Sequence, residues 1–204
     1  MDAKEKAAYL LDKGYIINEH PNSLFELSDK IEAQAETADL PVTTNISSPA
    51  TIIDYTHAHF LKGIEKIAQQ IRDDNWHPDY IVGVVRGGAV PAVYLSHKLK
   101  IPVQMVRWNT RDKTELDNES NCWIPEDILA GKNVLIVEDI IDSGETIREL
   151  IADWKSSVRD ELPLDFIRVA AMVYNISQNV KVDYSDIAID IEVEKRWFMF
   201  PWEG

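Results

Sequence analysis

Apolar and polar positions keep two rhythms along the chain, and the rhythms take turns. From Tyr55 to Asp73 the apolar residues Phe60, Leu61, Ile64, Ile67, Ala68 and Ile71 recur at helical spacing and make one face. His77-Pro78 ends that stretch. Tyr80–Val85 is a short apolar run of strand type, broken by Arg86-Gly87-Gly88. Ala89–Lys98 reads as a helix and Val103–Arg107 as a strand. Thr110–Pro125 is polar, charged and long for a connection, the kind of segment that serves as a lid. Val134–Val137 is a buried-type strand. Thr146–Ser156 is a helix with Ile147, Leu150, Ile151 and Trp154 inward, and Phe166–Tyr174 and Ile187–Val193 are two further strands. This alternation predicts an α/β fold, a mostly parallel twisted sheet with helices on both faces. Ligands of such sheets bind beyond the carboxyl ends of the strands. Both irregular turns, Arg86–Gly88 and Glu138–Thr146, fall there.

Residues 1–50 have a different texture. AKEKAAYLLDK and SLFELSDKIEAQAETA are helical by spacing, Pro21-Asn22-Ser23 reads as a turn and helix start, and LPVTTNISSPATI is a Pro/Ser/Thr-rich connector. An N-terminal helical arm or cap over 1–50, used in packing or oligomerisation, is expected, followed by one domain over 51–204.

Composition narrows the classes. The 204 residues carry 35 acids against 21 bases, a net charge of -14. That field repels polyanions at long range and argues against non-specific nucleic-acid binding, while leaving room for small phosphorylated ligands held at short range. The one cysteine, Cys122, excludes an intramolecular disulfide, and no Cys/His spacing suggests zinc. No stretch approaches the ~18 apolar residues of a membrane span, and the acid-bearing first residues do not read as a secretory leader. The expectation is a cytoplasmic protein without membrane contact.

The stretch VLIVEDIIDSGET, Val134–Thr146, carries the chemistry. A carboxylate leaving a buried strand is unfavourable unless it is paired, solvated or used. Glu138 and Asp139 are adjacent acceptors suited to vicinal hydroxyls, and they can attract a divalent cation directly or through water. Gly144 permits a tight turn with positive φ. Free N–H groups at the following helix start, with the Ser143 and Thr146 hydroxyls, make an anion cradle. A helix cap by Ser143 or Thr146, with Glu149 completing a Thr-x-x-Glu box, accounts for part of this pattern but not for three acids after VLIV. Hydroxyl acceptors beside a phosphate nest fit a sugar phosphate.

This stretch is similar to the phosphoribosyl-pyrophosphate-binding motif of type I phosphoribosyltransferases. AGKNVLIVEDIIDSGETI most resembles the purine-salvage branch, the hypoxanthine-guanine and xanthine-guanine enzymes. The resemblance covers about residues 55–204. It implies that Glu138 and Asp139 hold the ribose hydroxyls, that Asp142, Ser143, Gly144, Glu145 and Thr146 hold the 5′-phosphate, and that Asp142 exchanges a proton with the purine N7. It implies that Arg86, Gly87 and Gly88 bind the pyrophosphate, with a cis peptide bond at Val85–Arg86. A flexible loop at about 108–125 would close over the reaction centre, bringing Arg111 and Lys113 towards pyrophosphate. A C-terminal base-binding hood at about 175–204 would stack Trp197 on the purine and read its edge with the Phe198 backbone. Glu203 would reach a metal through water, beside Glu138 and Asp139. The implied cofactor is Mg²⁺, the partners are phosphoribosyl pyrophosphate and a purine base, and family members are commonly dimers or tetramers.

The chain departs from the family at one point. Where purine members carry a lysine for the 6-oxo group, Asn175 follows VAAMVY, and the nearest lysine downstream is Lys181. The implied reaction is transfer of a phosphoribosyl group to a 6-oxopurine with release of pyrophosphate. Two rivals stay open: a non-catalytic regulator that senses the same donor, and an enzyme of this fold that takes a pyrimidine or adenine.

Overall fold

A computed structural model of the chain describes residues 51–108, 110, 118–193 and 196–203. The expected arm over 1–50 and the loop cations Arg111 and Lys113 lie outside the described residues. The described residues form two compact units: Thr56–Ile191, and residues 51–55 together with those described from Glu192 onward.

The larger unit is a five-stranded parallel sheet in the order β3-β2-β4-β5-β6. Its strands are β2 (Tyr80–Val85), β3 (Val103–Arg107), β4 (Val134–Ile141), β5 (Ile167–Asn175) and β6 (Tyr184–Ile189). Its helices are α1 (His57–Asp73), α2 (Ala89–Leu99), α3 (Trp123–Leu129) and α4 (Glu145–Ser157). One face of the sheet, with Val82, Val84, Val134, Ile136 and Val169, shares a core with Ile124 and Ile128 of α3 and with Ile147, Leu150 and Trp154 of α4. Helices α1 and α2 pack on each other and on the sheet. The edge strand β6 is covered by α1. Gln70 pairs with the Ser185 backbone in both directions at 2.9 Å, and Lys66 reaches the Asp186 carboxylate at 3.5 Å. Such cover occupies groups that would otherwise template a foreign strand.

Strand order reverses between β2 and β4, because β3 follows β2 on one side while β4 joins on the other. The crevice at such a switch point is the place where open α/β sheets bind ligands. The turns after β2 and β4 both open there.

Several elements differ from the expectation. β4 runs on to Ile141, so Glu138 and Asp139 belong to the strand rather than following it. Helix α3 begins at Trp123 inside the stretch read as a connection. Pro125 is its third residue, where a missing N–H goes unnoticed because first-turn N–H groups have no helical partner anyway. β6 lies at Tyr184–Ile189, and Ile191–Val193 is a turn. The smaller unit contains a pairing that no local pattern announced. β1 (Thr51–Asp54) runs parallel to β7 (Arg196–Met199), with Ile52 opposite Trp197 and Ile53 opposite Phe198. Tyr55 sits against Phe198 and Phe200, with ring centroids at 6.3 and 5.0 Å, and Trp202 stacks on Phe200 at 4.8 Å. Among the described residues no helix is long and apolar enough to cross a membrane.

Candidate active site

The end of β4 divides its acids between two faces, because successive strand residues point oppositely. Glu138 lines a cleft together with Ile140, Ile141 and the turn from Asp142 to Ile147. Asp139 turns the other way. Its Oδ1 accepts from the Ile140 N–H at 2.7 Å, and a Cβ built on Gly87 would overlap its carboxylate. Both acids are buried.

After β4, Gly144 takes φ +70°, the left-handed region expected for it. It is the N-cap of α4, and it contributes no side-chain cap. The capping box expected from Ser143 or Thr146 with Glu149 is therefore absent. Ser143 Oγ instead accepts from the Glu145 N–H at 3.3 Å, and Thr146 lies within the first turn. Among the described residues the N–H groups of Ser143, Gly144, Thr146 and Ile147 donate to no protein acceptor. Converging orphan donors at a helix start suit an oxyanion. Asp142 and Glu145 border the same cleft.

The turn after β2 lies against the end of β4. Val85–Arg86 is a cis peptide bond, as the resemblance implied. Arg86 is exposed and makes no ion pair among the described residues. The Gly88 N–H donates to the Val84 carbonyl at 2.9 Å, and Ala89 N–H to the Arg86 carbonyl at 3.2 Å. The Gly88 amide is thus occupied within the turn, while the Arg86 side chain is exposed. A Cβ on Gly88 would strike the Val137 carbonyl and lie 3.0 Å from the Glu138 Cα. The two glycines let the β2 turn lie directly on the end of β4.

The remaining expected residues are placed as follows. Thr110 lines the cleft. The base of the polar loop is closed by an antiparallel bridge, Arg107 N–H to Glu119 carbonyl at 3.0 Å and Glu119 N–H to Arg107 carbonyl at 2.7 Å. The buried Trp154 indole donates to the Ser120 carbonyl at 2.9 Å, and the Asn121 amide to the Met105 carbonyl at 2.9 Å. Asn175 is buried at the end of β5, and its Oδ1 accepts from Ser177 N–H at 3.1 Å and Ile191 N–H at 3.3 Å. Its oxygen therefore holds two backbone turns. Trp197 and Phe198 lie on β7 of the smaller unit, where Glu203 Oε2 accepts from the Phe200 N–H at 3.0 Å.

Two residues of this region were not anticipated. Val180 covers Gly144, where an added Cβ would come within 2.9 Å of the Val180 Cβ. Arg148 donates from Nη1 to the Ser143 carbonyl at 2.8 Å. The sequence signal for Arg148 was weak, an arginine in the first turns of a helix that already carries Glu145 and Glu149.

For magnesium, Glu138 would offer an oxygen donor on the cleft side and Asp139 one on the opposite face of β4. No group of three or more His, Cys, Asp or Glu suited to a metal occurs among the described residues. That donor set fits an ion that takes most of its ligands from water and phosphate oxygens, as magnesium does in phosphate-transfer sites.

The model of a phosphoribosyl transferase domain matches residues 54–203. The chain is 31% identical over 128 residues to the xanthine-guanine phosphoribosyltransferase of Idiomarina loihiensis, spanning 60% of this chain and 70% of that protein. It is 25% identical over 187 residues to xanthine phosphoribosyltransferase 1 of Saccharomyces cerevisiae, spanning 74% and 88%. Among solved structures, a purine phosphoribosyltransferase from Pyrococcus horikoshii superposes with a TM-score of 0.53 at 26% identity, covering 75% of this chain and 95% of that one.

Proposed function

The chain belongs to the phosphoribosyl transferase family, and from that premise we propose that it transfers the 5-phosphoribosyl group of phosphoribosyl pyrophosphate to a 6-oxopurine, releasing pyrophosphate. The observation that carries this reading is the packing of the β2 turn on the end of β4. Gly87 lies against the Asp139 carboxylate, while Glu138 on the opposite face of the same strand shares a cleft with the orphan N–H groups of the β4 turn. A ligand with hydroxyls at its middle and phosphates at both ends has the matching order of groups. The relatives named for xanthine and guanine favour a 6-oxopurine acceptor.

In this reading the 5′-phosphate sits on the N–H groups of Gly144, Thr146 and Ile147. Glu138, on the cleft side of β4, accepts from the ribose hydroxyls and tolerates positive charge developing at the sugar C1, while Asp139, on the opposite face, keeps its carboxylate against Gly87 rather than beside the same hydroxyls. The bond from C1 to pyrophosphate breaks as a purine nitrogen bonds to C1, and Arg86 balances the charge of the leaving group. Asp142 takes up the proton that the purine releases. Glu138 on the cleft side and Asp139 beside Gly87 are the oxygen donors available to magnesium, which would supply charge neutralisation to the pyrophosphate. By the family resemblance Trp197 would stack on the purine and the Phe198 backbone would read its edge; the Asn175 oxygen is taken by Ser177 and Ile191, so only its amide nitrogen is left for a ligand.

The test is pyrophosphate release from the donor across a base panel, with magnesium and with chelator, alongside calorimetry of donor binding. Release with guanine, hypoxanthine or xanthine, lost in chelator, supports the assignment. Heat of donor binding with no release from any base would replace it by the regulator reading. Release only with adenine or a pyrimidine would overturn the acceptor.

A further inference from the structure

The phosphate turn has an unbalanced charge. Asp142 and Glu145 both border the cleft that is to receive a phosphate, and carboxylates disfavour an arriving dianion. Arg148 is the cation anchored to this turn. Glu145 lies one helical turn before it, a spacing at which Glu–Arg pairs form. The guanidinium nevertheless takes the Ser143 carbonyl at 2.8 Å and stands 3.3 Å from where a Gly144 Cβ would be. Arg148 does not itself line the cleft.

The Ser143 carbonyl and the Gly144 N–H belong to one peptide plane, and in a trans peptide they point in opposite directions. A guanidinium that holds the carbonyl outward therefore turns the N–H away from itself. Gly144 is the residue of this turn for which a flipped peptide is easiest, since it has no Cβ to forbid either orientation. Its N–H has no acceptor among the described residues, so none of them fixes the plane from that side.

We propose that Arg148 is a positioning residue for the 5′-phosphate: it locks the Ser143–Gly144 peptide with its N–H facing the ligand and offsets the charge of Asp142 and Glu145. This rests on the proposed function for the identity of the ligand. Binding of a sugar phosphate tests it independently of transfer.

The experiment measures calorimetric affinity for ribose 5-phosphate in the full chain, for wild type, Arg148→Gln and Arg148→Lys. It adds donor KM, base KM, kcat and Tm for each. Arg148→Gln is expected to weaken ribose 5-phosphate and raise donor KM about tenfold, the scale of one charge-assisted hydrogen bond. Base KM and kcat at saturating donor stay within about twofold. Arg148→Lys keeps the charge but loses the planar fork, and should fall between the two. Glu145→Gln in the Arg148→Gln background should recover part of the loss, because it removes one repelling charge. A folded Arg148→Gln protein with unchanged ribose 5-phosphate affinity overturns the proposal, as does a loss spread equally over donor, base and kcat with a matching fall in Tm. If Arg148→Gln does not fold, Arg148→Lys decides by the same comparison. Wild type that binds ribose 5-phosphate but releases no pyrophosphate with any base sinks the proposed transfer while leaving Arg148's part in phosphate binding intact. Turnover with an unaltered donor KM in Arg148→Gln does the reverse.

Discussion

The turns after β2 and β4 leave the same end of the sheet, and both depend on glycine, but for different physical reasons. Gly144 is required by its own backbone, which sits at φ +70°. Gly87 and Gly88 are required by a neighbour, because the space a Cβ would fill is taken by the Asp139 carboxylate and the Val137 carbonyl. The first demand is local, and a run of residues can announce it. The second arises when two strands separated by about fifty residues are laid side by side. The turns also divide the work. Among the described residues the β4 turn keeps four N–H groups without a protein acceptor, whereas the β2 turn closes its Gly88 amide on Val84 and presents an exposed cationic side chain, Arg86.

That division is open to attack by substitution. The largest effect is expected from Asp142→Asn, which should lower kcat by about 10²–10⁴-fold, the range of general acid–base assistance, and leave donor affinity within about threefold. A steady-state assay showing normal turnover would remove Asp142 from proton transfer and leave the β4 turn a purely binding element. Arg86→Gln comes next. It should lower kcat/KM for the donor about a hundredfold, yet leave ribose 5-phosphate, which lacks pyrophosphate, binding as wild type does. Equal losses for both ligands would mean that the two turns do not serve opposite ends of the donor.

The glycines sharpen the contrast on the scale of stability. Gly144→Ala should be destabilising by about 1–2 kcal/mol through left-handed strain alone, and further through contact with Val180. Adding Val180→Ala should restore the packing part and not the strain part. Gly88→Ala strikes the Val137 carbonyl, so no side-chain substitution should relieve it. A double-mutant cycle by denaturant melts reads these couplings directly, and a complete rescue of Gly144→Ala would show that strain contributes nothing there.

The smallest effect belongs to a control at the far end of β2. Burial, with the nearby Asp127, pushes the Tyr80 phenol above its ordinary range. The folded chain therefore prefers the neutral phenol, and the corresponding stability is held below about pH 10 and lost as pH rises beyond it. Among the described residues the hydroxyl has no hydrogen-bond partner. Tyr80→Phe should leave both donor ends untouched, change stability little at pH 7, and make thermal melts less sensitive to pH above 10. A donor-specific defect in this variant would blur the distinction between the two ends of the sheet.

The parts of the site that could be read from the chain are those confined to short runs. Val134–Thr146 places acids, a turn and a helix start within thirteen positions, so its meaning survives without knowledge of its neighbours. Even there the division of labour was hidden. Glu138 and Asp139 are adjacent in the chain, but β4 continues through them and sends them to opposite faces. Helix α3 was masked by Pro125, whose penalty vanishes in a first turn. β6 was displaced by its acids. Asp183 and Asp186 are held by Val169 and by Lys66, so a polar run forms an edge strand.

The sequence by itself determined the alternation of strand and helix, the positive-φ glycine and the cluster of acceptors and donors after β4, because each follows from residues a few bonds apart. Only the tertiary structure decided that β4 lies next to β2, that Asp139 fills the space beside Gly87, that Val180 covers Gly144, and that β1 pairs with β7 across about 145 residues. The physical reason is that these are close-packing relations between distant segments. Each asks only that a neighbour leave room or fill it, and such a demand puts no pattern of its own into either stretch of chain.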